Sequence, residues 1–178
     1  MAEMKTIKIA ITGPESTGKT ALTNYLAKTF NATAVPEVAR KYLTPLDGIY
    51  DYNDVLNIAK LQMEEEDRLA EKAKLVFCDT ELVVNKIWCD VKFRKCHDWI
   101  LNELKNREYD LVLLCRADLP WEYDAFRENP DDLDFLMEIY RKEVPIYYKN
   151  HVEIFGNGNK RFKMAELEVQ KVLQKLKL

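Results

Sequence analysis

No apolar run in the sequence approaches the roughly 20 residues that a membrane-crossing helix needs. The first residues lead straight into a strand-like pattern, without the apolar stretch of a secretory leader. Neither sign of charge dominates. The 27 Lys and Arg face 30 Asp and Glu, for a formal net charge of −3. That balance leaves no global footprint for nucleic acid, so neither a nucleic-acid nor a membrane partner is expected. Only two histidines and four cysteines occur. None of Cys78, Cys89, Cys96 and Cys115 forms a C-x-x-C pair, and Cys89, Cys96 and His97 fit no zinc spacing. Cys78 and Cys115 fall in strand-like runs, where a free thiol acts as a small hydrophobe. This usage points to a reducing, cytoplasmic setting. Internal repeats, low-complexity tracts and interdomain linkers are absent. The 178 residues, 47% of them hydrophobic, are expected to form a single domain over residues 1–178 with a substantial core. The pattern specifies no oligomeric state.

Glycine is also scarce, 5 in all, and two of the five stand in Gly13-Pro14-Glu15-Ser16-Thr17-Gly18-Lys19-Thr20. This octapeptide satisfies G-x-x-x-x-G-K-[ST]. It lies between an alternating apolar run at 7–11 and an amphipathic stretch at 21–30, the strand–loop–helix setting that the motif requires. Gly13 and Gly18 permit backbone conformations that bulkier residues resist, so the loop's N–H groups can turn inward as an anion nest. The helix that begins near Lys19 adds its positive N-terminal dipole. Pro14, Glu15, Ser16, Thr17 and Ala21 complete the nucleotide-binding set. Lys19 can reach the β- and γ-phosphates of ATP, and the Thr20 hydroxyl can ligate Mg²⁺.

Strand-like runs then alternate with helical ones. Strands are predicted at 32–35, 75–79, 111–115 and 152–155. Helices are predicted at 37–43, 53–74, 81–93, 97–106, 133–148 (bent near Pro145) and 161–176, with 46–52 a loop. The acidic run 64–67 reads as a solvated face. With the first strand, this order implies a five-stranded parallel sheet flanked by helices and joined by right-handed crossovers. Ligands of such sheets bind beyond the carboxyl ends of the strands. That rule gathers the phosphate loop, Glu37, Asp79 and Arg116.

Asp79 ends an apolar strand and has the form of a Walker B acid that would organise Mg²⁺ beside Thr20. Glu37 and Arg40 share one face if helical. Glu37 could accept a hydroxyl proton or bind a sugar, and Arg40 could orient Glu37 or meet a phosphate. Glu37 and Asp79 are alternative general bases. The acidic, aromatic segment at about 118–134 reads as a lid that excludes water. Arg127, surrounded there by acids, is its candidate for closing over the γ-phosphate. Arg141 is a second cation. Tyr52 and Trp121, both in expected loops, are the aromatics assigned to the substrate.

Taken together, these residues resemble the ribosylnicotinamide kinase domain of NadR-type proteins. The resemblance runs through the octapeptide, Pro36-Glu37-Val38-Ala39-Arg40-Lys41-Tyr42-Leu43, Asp79-Thr80-Glu81, and Pro120-Trp121 with Asp124 and Arg127. It implies a nucleoside/nucleotide-kinase-like P-loop fold and ATP- and Mg²⁺-dependent phosphorylation of the 5′-hydroxyl of nicotinamide riboside, a step of NAD biosynthesis. The adenylyltransferase domain of many members is not expected here. The chain departs from the family in having no aromatic just before Glu37, Lys41 in place of an acid, and Glu81 in place of aspartate. The alternatives are a kinase for another nucleoside or small alcohol, and a regulatory ATPase that switches with ATP.

Overall fold

A computed structural model describes residues 5–122 and 132–176. Five strands form one parallel sheet: β1 (Ile7–Thr12), β2 (Thr33–Val35), β3 (Leu75–Asp79), β4 (Leu111–Cys115) and β5 (His151–Ile154). Their order across the sheet is β2-β3-β1-β4-β5. The central β1 therefore lies between the two strands at which the winding reverses, and the crevice beyond its carboxyl end is where such sheets bind ligands.

Among the described residues, seven α-helices flank the sheet: α1 (Lys19–Thr29), α2 (Ala39–Leu43), α3 (Tyr52–Ala70), α4 (Leu82–Phe93), α5 (Asp98–Asn106), α6 (Leu133–Tyr147) and α7 (Gly158–Lys175). Helices α1 and α7 pack on one face, against Ile9, Ile11, Phe77 and Leu113. Helices α3 to α6 pack on the other, against Ala10, Val76, Cys78 and Val112. Because both faces are covered, β3 and β4 read as continuous apolar runs and not as alternating ones. Among the described residues, no helix is long and apolar enough to cross a membrane.

Local chemistry moved several boundaries. Helix α3 begins at Tyr52, because the Asp51 carboxylate accepts from Asn53 N and Asp54 N while Asp54 reaches back in a capping box. Tyr52 is thus helical, not a loop residue. Helix α6 contains Pro145 in its last turn. The acidic run is not wholly solvated. Glu66 is fully buried and accepts from Tyr109 Oη at 2.6 Å and Lys8 Nζ at 3.0 Å, with Arg107 Nη1 at 3.3 Å. The lysine of β1 that faces α3 makes this burial possible, since a buried carboxylate needs paired charge.

Candidate active site

The phosphate loop is shaped by its neighbours as much as by its glycines. Gly13 adopts φ +134°, and a Cβ there would come within 2.6 Å of the Cys115 carbonyl oxygen. The chain can pass over the end of β4 only without a side chain. Gly18, at φ +75°, precedes α1, and no side chain caps that helix. Its first N–H groups are left to an anion. Within the loop, Thr17 Oγ1 and Lys19 Nζ each donate to the Pro14 carbonyl at 2.7 Å.

Beside the loop, Thr20 Oγ1 donates to Asp79 Oδ2 at 2.6 Å. Asp79 is 2% exposed, and its Oδ1 is buried with no hydrogen-bond partner among the described residues. Burial pushes its carboxyl pKa up, against the opposing effects of the Thr20 hydroxyl and the Lys19 charge. An orphaned carboxylate oxygen next to a threonine hydroxyl fits a Mg²⁺ site completed by phosphate and water. Magnesium typically takes few protein ligands. No group of three or more metal-ligating side chains occurs among the described residues.

The next two residues are structural. Thr80, a β-branched residue at φ +82°, donates its N–H to the Ile11 carbonyl, and its hydroxyl has no partner among the described residues. Glu81 caps α4 and is fully buried. Its carboxylate accepts from Thr12 Oγ1, Val83 N and Tyr148 Oη, each at 2.7 Å. Burial raises its pKa as well.

The loop opens into a cavity of about 720 Å³. Residues 13–21 line one end, and Glu37 and Arg40 lie along its wall. The turn that carries Glu37 is held by buried Gln62 of α3, which accepts from Val38 N at 2.9 Å and donates to the Pro36 carbonyl at 3.1 Å. Much of the remaining wall is apolar and aromatic, with Tyr50, Ile87, Trp88, Val91, Leu136 and Tyr140, while Asn24, Lys92 and Glu122 also line it. Trp88 Nε1 donates to Tyr50 Oη at 2.8 Å, and the two rings meet edge to face at 5.0 Å. One end of the cavity suits a polyphosphate, and the other suits a flat apolar group.

The site residues expected from sequence divide into groups. Residues 13–21, Glu37 and Arg40 line the cavity, and Asp79 adjoins it through Thr20. Tyr52 does not line it. Its ring stacks on His97 at 3.6 Å and packs against Phe93. Tyr50, two residues earlier, lines the cavity instead, and the capping box turns Tyr52 toward α5. Trp121 is half-buried outside the lining. Its neighbour Glu122 does line the cavity and donates its backbone N–H to Ser16 Oγ at 3.0 Å. Arg127 lies outside the described residues. Arg116 and Arg141 both bond Glu153, at 2.7 Å, and hold its carboxyl down to about pKa 2. Neither lines the cavity.

Sequence reasoning gave Arg161 no role in the site. It is 2% exposed. Its guanidinium donates to the carbonyls of Thr17 (2.8 Å), Arg116 (3.0 Å) and Gly156 (3.0 Å), and to Asp118 Oδ1 at 2.7 Å. One side chain therefore binds the phosphate loop to the ends of β4 and β5. The available signal was its place in the first turn after Gly156-Asn157-Gly158.

A protein-family model described as AAA domain matches residues 8–150. The trifunctional NAD biosynthesis/regulator protein NadR of Escherichia coli (strain K12) is 30% identical over 150 residues, 82% of this chain and 36% of that protein. The chain spans about a third of the length of the curated relatives it matches. Two solved structures of NadR protein, one in complex with NAD and AMP-PNP and one in complex with NR, match with TM-scores of 0.75 and 0.77. Each is 19% identical and covers 94% of this chain, which spans 50% and 51% of those chains. The fold is that of the P-loop nucleoside and nucleotide kinases.

Proposed function

The chain belongs to the AAA domain family, and from that premise we propose that it is an ATP-dependent kinase for the 5′-hydroxyl of a nucleoside. Nicotinamide riboside is the acceptor that its similarity to NadR suggests. The observation that carries this reading is the single cavity that joins the phosphate loop to an aromatic, apolar wall. A switch that only sensed ATP would have no use for a second, apolar half.

In this mechanism the loop N–H groups, Lys19 and the start of α1 hold the triphosphate. Thr20 and Asp79 would hold Mg²⁺, which would neutralise charge on the β- and γ-phosphates. With Asp79 committed there, Glu37 is the base. The acceptor's 5′-oxygen bonds to the γ-phosphorus, the bond to ADP breaks, and the hydroxyl proton passes to Glu37. Glu122, docked on Ser16, begins the lid that keeps water out. Arg127 is assigned the γ-phosphate.

ADP release with Mg²⁺-ATP across a panel of nucleosides, with product masses checked, tests the reading. Acceptor-dependent release and a mononucleotide product are expected. Lys19→Ala should lower kcat by at least about 10²-fold in a folded protein, because it removes a donor aimed at transition-state charge. Slow hydrolysis indifferent to every acceptor would overturn the kinase reading in favour of a regulatory ATPase.

A further inference from the structure

Glu37 stands in irregular backbone, between β2, which ends at Val35, and α2, which begins at Ala39. Pro36 has no N–H to offer. Val38, which precedes α2, carries no capping side chain. Regular structure therefore does not fix the peptide groups on either side of Glu37. Gln62 of α3 does. Its amide nitrogen donates to the Pro36 carbonyl at 3.1 Å, and its amide oxygen accepts from Val38 N at 2.9 Å. The first bond holds the peptide that enters Glu37, and the second holds the peptide that leaves it. Both soft torsions of Glu37 lie between these two planar groups, so the clamp sets the direction of its Cα–Cβ bond.

Packing alone does not account for a glutamine at this place. The side chain is 2% exposed, and Ile58, Ala59 and Met63 are buried beside it on α3. An amide buried there is costly unless it is hydrogen-bonded, and an alkyl chain would fill the space without that cost. A carbonyl on one side and an N–H on the other match an amide; neither a carboxylate nor an alkyl chain serves both. The segment that follows is tied to the same helix. Tyr42 Oη donates to Asp54 Oδ1 at 2.8 Å, and Val38 and Tyr42 pack against the cluster of Ala39, Leu43 and Ile58. Helix α3 is thus the support against which Glu37 is set.

We propose that Gln62 is a positioning residue for the transfer step, acting through Glu37 by holding its carboxylate in line with the acceptor hydroxyl. Gln62 does not itself line the cavity. The inference deepens the kinase reading, with Glu37 as its base, and rests on it.

The test is acceptor-dependent ADP release by the full chain, with rates taken per folded protein. Gln62→Met keeps the length of the side chain and loses both bonds. It should lower kcat by about 10- to 10²-fold, the range for a reacting group displaced by up to about 1 Å, and leave KM for ATP within about twofold. In a Glu37→Ala background the same substitution should lower kcat no further, because nothing remains for it to position. Gln62→Glu adds a readout that a purely structural role would not move. The protonated carboxyl can make both bonds, whereas the ionised form can only accept from Val38 N. The ratio of variant to wild-type kcat should therefore approach one at low pH and fall as the introduced carboxyl ionises. Burial places that fall above the ordinary glutamate range. If Gln62→Met does not fold, the pH dependence of Gln62→Glu decides the question. Wild-type kcat in the variants, or an equal loss from Gln62→Met with and without Glu37, would overturn the role of Gln62 and leave the kinase reading standing. No acceptor-dependent turnover by the wild-type protein would overturn both.

Discussion

Asp79 joins a core strand to the candidate metal site, and its burial opposes its charge. Its raised pKa means that the folded protein holds the proton more tightly than the unfolded chain does. The sign follows from linkage. Above the ordinary aspartate value of 3.8, stability falls as pH rises through the folded pKa, because the native state must then bury a charge. Asp79→Asn removes that charge and still accepts from Thr20. The variant should melt above the wild type at pH 7 without Mg²⁺ or nucleotide, and the two should converge as pH falls toward 4. Melts across that range check this. The same variant should be nearly inactive, since it loses the carboxylate assigned to Mg²⁺. Asp79 was legible in the sequence because a carboxylate ending a wholly apolar run needs a reason to be there. Its orphaned Oδ1 was not legible, since that depends on what packs around it.

At the scale of elements, α4 lines one wall of the cavity with a stripe of residues from Val84 to Lys92. That stripe was present in the sequence as a spacing. Any amphipathic helix carries such a stripe, and spacing does not say whether it faces core, solvent or a cavity. Trp88→Leu keeps an apolar side chain of reduced size and removes both the ring and the donor to Tyr50 Oη. It should raise the acceptor KM by about tenfold, the scale of an aromatic contact together with its hydrogen bond. The KM for ATP should stay within about twofold, because the effect is confined to the acceptor end; steady-state kinetics with each substrate varied in turn checks both. The start of α3 shows how locally such matters are settled. Asp51 caps the helix and carries Tyr52 away from the cavity, while Tyr50, still in the loop, turns into it. Expected loop placement pointed to Tyr52, and the lining tyrosine is Tyr50, separated from it by one residue.

Across the molecule, the phosphate loop is held in place by distant parts of the chain. Arg161 bonds Thr17, Arg116, Gly156 and Asp118, which span 144 residues from Thr17 to Arg161. Arg161→Met preserves length and apolar packing but strands these acceptors. It should cost about 3 kcal/mol in urea unfolding, the scale of a broken buried ion pair. It should also weaken ATP binding, measurable by calorimetry. Arg161→Lys should recover only part of both, because an ammonium cannot reproduce the planar fork.

The division between sequence and structure follows the range of the forces involved. The sequence by itself determined the phosphate loop, the alternation of strands and helices, the parallel sheet and the carboxylates at strand ends. Each of these rests on backbone sterics, on periodicity, or on a motif contained within a few residues. Only the tertiary structure decided that Tyr50, Trp88 and Lys92 line the cavity, and that Arg161 and Glu66 are buried. Those outcomes depend on which helix packs against which sheet face, and burial, not residue type, sets the roles of these side chains.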